Sequence, residues 1–190
     1  MPPEWGDCAR PESQDAYVQA RKTLSSVSEY LRGISVGGDH DLMNRLQHAF
    51  LAIDHLRRLT YRCEGFDRLE ATADDALLVD YVSAVRQEID TVLSALDNPI
   101  RKETQLATKS QFKEFANRSD ADRQHFSELV AQGAVGPATA ITRLDSLRWL
   151  RRISYHLWRI VRHLRHVQFE SSASQSAVPD TKSESPSALP

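Results

Sequence analysis

The sequence predicts an all-α protein, an antiparallel bundle of about five helices. Apolar side chains recur with helical periodicity over long stretches, and glycines and prolines lie between these stretches or at their edges. Alternating β-branched runs joined by Asn-Gly or Asp-Gly turns, which are typical of strands, are absent from the sequence. The two patterns together favour helices throughout the folded part of the chain.

The stretch 141–167 is the strongest of these helical patterns, because it lacks glycine and proline and divides sharply into two surfaces. At about 100° per residue, its aliphatic side chains fall on one arc and most of its arginines on the opposite arc. The aliphatic arc comprises Leu147, Leu150, Ile153, Leu157, Ile160, Val161, Leu164 and Val167. The opposite arc, called the arginine face below, comprises Arg148, Arg151, Arg152, Tyr155, Arg159, Arg162 and His166. We expect a central helix whose aliphatic arc is covered by the others.

Four further helices are predicted before it. Their approximate ranges are 14–32, 41–64, 74–96 and 101–132, with turns at Gly33–Asp39, Gly65, Pro99 and Gly133–Pro137. The pattern Ser119-Asp120-Ala121-Asp122 resembles a helix cap, so we expect a kink or restart there. Residues 1–13 are predicted to be a flexible lead-in, 14–168 the bundle, and 169–190 a disordered tail rich in Ser, Ala and Pro.

Charge is segregated along the chain although the formal net charge is only -2. The third predicted helix is acidic, with carboxylates at Asp74, Asp75, Asp80, Glu88, Asp90 and Asp97. One interpretation pairs these acids with the arginine face inside the bundle. The other makes Arg148, Arg152, Arg159 and Arg162, called the docking arginines below, a surface for an anionic partner. Surface ion pairs contribute only about 0–1 kcal/mol each, so we favour docking, although both interpretations can hold together.

Composition excludes several classes of protein. The near-neutral charge gives no reason to expect nucleic-acid binding, and Cys8 and Cys63 do not form a Cys-x-x-Cys pair. No signal-peptide pattern opens the sequence, and no run approaches the roughly 18 apolar residues that span a bilayer. We expect a soluble cytoplasmic protein, with peripheral attachment at the inner face of the membrane as an alternative.

Histidines provide the candidates for a metal site. His48 and His55 are spaced by seven, as are His156 and His163, so the members of each pair lie about 10 Å apart along one helix and cannot chelate alone. A site would need one histidine from each helix together with a carboxylate, and the candidates are Asp54, His55 and His156. The favoured alternative places these histidines at the border of the core. We therefore predict no metal and no cofactor.

Other chemistry has little support in the sequence. No nucleophile–histidine–acid arrangement or glycine-rich phosphate loop is present, so we predict that the protein is not an enzyme. Asp54, Arg58 and Arg62, at spacings of four, are expected to form exposed ion pairs. Trp149 and Trp158 are expected to lie at opposite borders of the aliphatic arc.

A weak internal repeat links two of the helices. His55-Leu56-Arg57-Arg58-Leu59 and His156-Leu157-Trp158-Arg159-Ile160 share the pattern His-Leu-x-Arg-aliphatic. The longer run LDSLRWLRRISYHLWRI, residues 144–160, resembles the last helix of PhoU-like domains, as found at the cytoplasmic C-terminus of bacterial sodium/phosphate cotransporter-family proteins. The segment AIDHL, residues 52–56, is similar to the matching position in the first repeat, and the resemblance extends over residues 14–167.

This resemblance implies a helical bundle with a role in controlling phosphate uptake and, in some family members, metal ions held by Glu/Asp-x-x-x-Asp pairs. The matching positions here are Phe50, Asp54, Arg151 and Tyr155, so only one carboxylate remains. We therefore expect a non-enzymatic regulatory or accessory protein of sodium-dependent phosphate uptake that docks to a membrane transporter or another protein. The alternative is a generic helical module that binds another protein or an anionic membrane surface. A metal-binding protein is less favoured, and self-association is left open.

Overall fold

The computed structural model describes residues 11–63, 75–96 and 98–175. These ranges form five helices and contain no strand, which confirms the predicted all-α bundle. The helices are α1 (Pro11–Arg32), α2 (His40–Cys63), α3 (Ala76–Leu96), α4 (Lys102–Ala131) and α5 (Pro137–Gln175). Helix α5 continues past position 169, where we expected the tail to begin. The predicted lead-in up to residue 10 and the tail from residue 176 lie outside the described residues.

Glycines with positive φ lie in two of the turns between helices. Gly37 and Gly38 have φ of 54° and 87°, and the carboxylate of Asp39 then accepts a hydrogen bond from the Leu42 amide at 2.9 Å to cap α2. Gly133, with φ of 71°, ends α4. The amide of Ala134 bonds the carbonyl of Leu129 at 2.9 Å there, as in a Schellman motif.

Helix α5 is central, because α2, α3 and α4 all pack against it, while α1 packs on α2. It runs antiparallel to α2 and α4 and parallel to α3, as contacts along their lengths show. Most of the predicted aliphatic arc is buried, and Leu164 and Val167 are half-buried. The buried members are Leu147, Leu150, Ile153, Leu157, Ile160 and Val161. Side chains of α3 and α4, among them Leu78, Tyr81 and Phe115, complete the core.

The predicted restart in the fourth helix is wrong. Helix α4 is unbroken from Lys102 to Ala131. The buried hydroxyl of Ser119 donates to the Ala116 carbonyl at 2.9 Å, within the same helix, and Asp122 accepts a hydrogen bond from the Tyr81 hydroxyl of α3. Because Ser119 is bonded within α4 and Asp122 is bonded to α3, neither is available to cap a new helix.

Within the described ranges, none of the helices combines the length and the apolar character needed to cross a lipid bilayer.

Candidate functional site

The interface between α2 and α5 is lined by histidines. His48 Nδ1 lies 2.9 Å from His163 Nδ1, and His55 Nδ1 lies 3.0 Å from His156 Nδ1. Each helix carries its two histidines seven residues apart. Because the helices are antiparallel, the first histidine of α2 meets the second of α5, and the second of α2 meets the first of α5. The repeated segments noted in the sequence are therefore neighbours in space, paired through their leading histidines.

A fifth imidazole extends the row. The ring of His166 stacks on His48 with centroids 4.4 Å apart, and the ring of His163 stacks on His55 at 5.6 Å. These rings form one continuous column, called the histidine seam below, whose members are His166, His48, His163, His55 and His156. His55, His156 and His163 are buried, in agreement with the predicted position at the border of the core.

Arg159 sets the tautomer of the inner pair. Its Nε–H donates to His55 Nε2 at 3.3 Å, so that nitrogen carries a lone pair and the proton of neutral His55 sits on Nδ1. His55 Nδ1–H then donates to His156 Nδ1, and His156 carries its proton on Nε2. Arg159 therefore donates to His55, and His55 donates to His156.

The three buried histidines of the seam have lowered pKa values. Burial lowers the pKa of His55, and the charge of Arg159 adds to the effect. Burial also lowers the pKa of His156 to about 4, with smaller contributions from His55, Arg58 and Arg62. The pKa of His163 is likewise lowered to about 4, by burial first and then by Arg159. A desolvated imidazole surrounded by guanidinium groups resists protonation.

The predicted metal candidates are only partly brought together. His55 and His156 meet, but Asp54 forms an ion pair with Arg58 at 2.9 Å and also lines a separate groove between α1 and α2. The part of the chain that the structure describes contains no group of three or more His, Cys, Asp or Glu side chains arranged to hold a metal. A metal on the paired Nδ1 atoms would also displace the His55 proton that the Arg159 hydrogen bond requires. This geometry disfavours a metal on that pair.

The docking arginines occupy different environments. Arg148 and Arg152 are exposed, and Arg159 and Arg162 are half-buried. Arg148 forms an exposed ion pair with Asp145 of its own helix at 2.9 Å, and Arg159 is held by His55. Arg152 and Arg162 make no ion pair or hydrogen bond with any other residue of the described ranges.

Within the described residues, the ion pairs of the acidic segment join arginines outside the arginine face, which does not favour the intramolecular interpretation. Asp80 pairs with Arg118 of α4 at 3.3 Å, and Asp75 pairs with Arg143 near the start of α5. Helix α3 packs on the aliphatic arc of α5, which points away from the arginine face, so its carboxylates cannot reach across. Within the arginine face, Arg151 is bound at 2.7 Å by Asp120, a residue of α4.

The two tryptophans mark the borders of the α5 core surface, as predicted. Trp149 is buried toward α2 and donates its Nε1–H to the Arg62 carbonyl at 2.9 Å. Trp158 lies toward α4, where its ring stacks on Phe112 with centroids 5.4 Å apart. The predicted ion pairs on α2 are confirmed only for Asp54 and Arg58.

Glu88 differs from the other acids of the predicted third helix. It was counted with the carboxylates that could pair with the arginine face, but it is buried, with an exposed fraction of 2%. Burial raises its pKa to about 7, and the neighbouring Ser154 hydroxyl acts in the opposite direction. The spacing contained the signal: Glu88 follows Val85 by three and precedes Val92 by four, which places it on the buried stripe.

The fold and this interface define an all-α helical bundle whose central helix packs on α2 through the histidine seam. No protein-family model, curated protein or solved structure matches the chain.

Proposed function

We propose that this chain is a non-enzymatic, PhoU-like regulatory or accessory protein of sodium-dependent phosphate uptake. It acts by docking to a membrane transporter or a related partner through the exposed part of the arginine face. The observation that supports docking most directly is that Arg152 and Arg162 have no counter-charge among the described residues. The link to phosphate uptake rests on the resemblance of residues 144–160 to the last helix of PhoU-like domains.

The basic surface extends from α5 onto α2. Arg58 and Arg62 are close enough to His156 to lower its pKa, and Arg159 and Arg162 do the same for His163. Asp54 neutralises only Arg58. Guanidinium groups held along two packed helices suit an acidic protein surface, because each can bind a carboxylate in bidentate fashion.

The same contacts support a binding role over a catalytic one. His55 and His156 are hydrogen-bonded to each other, and Arg159 occupies the remaining nitrogen of His55. A general base needs an accessible lone pair within reach of the substrate, and these paired nitrogens do not offer one.

The test compares two triple variants in the native host. Arg148, Arg152 and Arg162 are replaced with Gln, and Arg159 is retained because it holds His55. The control replaces three exposed lysines of α4, Lys102, Lys109 and Lys113, with Gln, which removes the same charge from another surface. Each protein is cross-linked in cells with and without phosphate starvation, captured, and its membrane partners are identified.

The proposal predicts that a sodium/phosphate cotransporter is enriched with the wild type and the lysine control and is lost with the arginine variant. Binding of the purified wild type to the captured transporter should weaken with salt, with a smaller salt dependence in the arginine variant. Equal enrichment with all three proteins, or no transporter at all, would overturn the proposal. Binding to phosphatidylglycerol vesicles without any protein partner would instead favour the membrane-surface alternative.

A further inference from the structure

One apolar core holds α3, α4 and α5 together, and α1 and α2 contribute little to it. Its buried members, among them Val85, Phe115 and Leu150, all lie within residues 78–161, which belong to α3, α4, α5 and the turn after α3. Among the described residues of α1 and α2, only the half-buried Leu59 packs against this core. Burial of apolar surface therefore stabilises α3, α4 and α5 as a unit.

The α1–α2 hairpin, residues 11–63, is attached to this unit through α5. Helix α1 packs on α2, α2 packs on α5, and neither packs extensively on α3 or α4. The surface between α2 and α5 is built around the histidine seam, so imidazole rings occupy positions that apolar side chains fill elsewhere in the bundle. Because the hairpin precedes the other helices in the chain, its covalent link to them follows Cys63. The hairpin can therefore separate from α5 without opening the apolar core.

The hydrogen bonds of the seam conflict with protonation of its rings. Arg159 Nε–H donates to His55 Nε2, and His55 Nδ1–H donates to His156 Nδ1, so both lone pairs of this pair are used. A second proton on either ring would bring two N–H groups face to face. Where the Nδ1 atoms of His48 and His163 meet at 2.9 Å, the accepting nitrogen is subject to the same conflict. Protonation of these rings therefore breaks contacts between α2 and α5.

The charges around the seam add to this conflict, because most of them are positive. The charged side chains that act on the pKa values of the three buried rings belong to α2 and α5, and they are Asp54, Arg58, Arg62, Arg159 and Arg162. Asp54 is the one carboxylate in this set, and it is already paired with Arg58. Tyr155 of α5 packs edge-on against His55 and His156. A new positive charge on the seam therefore meets arginines that no free carboxylate of this set offsets.

The packing of α3 on α5 responds to acid in the opposite direction. Glu88 of α3 is buried beside Ser154 of α5. Burial raises the pKa of Glu88 from 4.5 to about 7, so protonation as the pH falls removes a charge that is costly inside the protein. Acid thus strengthens the packing of α3 on α5 over the interval in which it weakens the packing of α2 on α5.

We propose that the α1–α2 hairpin is an acid-released arm, which separates from α5 on acidification while α3, α4 and α5 stay packed together. Separation exposes His156 and His163 to water, where their rings take up protons that the packed interface excludes. The proposed docking surface includes arginines of both α2 and α5, so separation would also divide that surface. This last consequence rests on the proposed function, whereas the separation itself does not.

Hydrogen–deuterium exchange of the full-length protein, without any partner, tests the proposal at pH 7 and pH 5. Rates are corrected for the intrinsic dependence of exchange on pH. The opening equilibrium for residues 46–60 of α2 should rise at least about 500-fold, because the pKa of His156 and of His163 changes from about 4 in the packed interface to 6.5 in water, and His55 adds to the effect.

Residues 78–92 of α3 should lose protection only about tenfold over the same interval. Their amides exchange when the whole protein unfolds, and protonation of Glu88 offsets most of the loss from the seam in that process. An equal change in α2 and α3 would show that the hairpin does not separate on its own and would overturn the proposal. Unchanged protection of α2 would overturn it as well.

Variants assign the effect to the seam. His156→Gln or His163→Gln alone should lower the rise in α2 by about 20-fold, because each removes one titrating ring. The control, His125→Gln, removes an exposed histidine of α4 and should retain the full rise. Glu88→Gln should leave the rise in α2 unchanged and increase the loss of protection in α3.

Circular dichroism establishes that each variant is folded. If a histidine variant does not fold, the comparison of α2 with α3 in the wild type still decides. A full rise in α2 that persists in folded His156→Gln and His163→Gln would overturn the proposal, since it would show that these rings do not control the separation.

Discussion

Acidification from pH 7 to pH 5 is expected to weaken the packing of α2 on α5 through the histidine seam. Burial and neighbouring charges hold the pKa of His156 and of His163 at about 4, below the value of 6.5 for the unfolded chain. As the pH falls below 6.5, His156 and His163 take up protons in the unfolded chain but not in the folded protein. Stability therefore falls through this window and levels off below about pH 4.

The size of the loss follows from these pKa values. Each of the two histidines removes about 2 kcal/mol of unfolding free energy between pH 7 and pH 5, about 4 kcal/mol for both. Glu88 acts in the opposite direction, because its pKa is raised from 4.5 in the unfolded chain to about 7. Protonation relieves the penalty on the buried carboxylate, and this restores about 2 kcal/mol over the same interval. The wild type should lose at least about 2 kcal/mol, because the lowered pKa of His55 adds a loss of the same sign.

The assay is chemical denaturation followed by circular dichroism at pH 7, 6 and 5, for the wild type and two variants. Glu88→Gln removes the opposing contribution, so its loss on acidification should rise to about 4 kcal/mol. Replacing both His156 and His163 with Gln should reverse the trend, so that this variant gains stability as the pH falls. Identical pH dependence in all three proteins would refute the reasoning, since it would show that neither the seam nor Glu88 titrates differently in the folded state.

Three further predictions concern the seam and the core. Leu157→Asp, which puts a charge at a position that is 4% exposed, should abolish cooperative unfolding, and a sharp thermal transition in that variant would contradict the packing of α5. Protein purified without chelator should carry no stoichiometric iron, zinc, nickel or manganese by mass spectrometry; a full equivalent that is lost in Asp54→Ala and His156→Ala would contradict this. Arg159→Met should destabilise the fold by about 2 kcal/mol by leaving a buried histidine nitrogen unpaired, whereas Arg152→Met should change stability by less than about 0.5 kcal/mol, as denaturation would measure.

Local sequence patterns were sufficient to predict the helices, because the periodicity of apolar side chains follows the side of each helix that is buried. The aliphatic arc of 141–167 became the buried surface of the central helix, and the glycines at 37, 38 and 133 lie where the chain turns. The wrong prediction that the fourth helix restarts at Ser119 has a physical cause. A Ser-x-x-Asp pattern caps a helix only when the backbone there lacks partners, and in α4 the preceding turn already supplies them.

The sequence by itself determined the all-α class, the central position of α5 and the opposition of its aliphatic arc to its arginines, because each depends on spacing along a single helix. Tertiary structure alone decided which histidine meets which, why Asp54 pairs with Arg58, and why Glu88 is buried. These outcomes depend on the direction in which neighbouring helices pack and on the register between them. An isolated helix leaves both free, and only the burial of several apolar surfaces against α5 at the same time sets them.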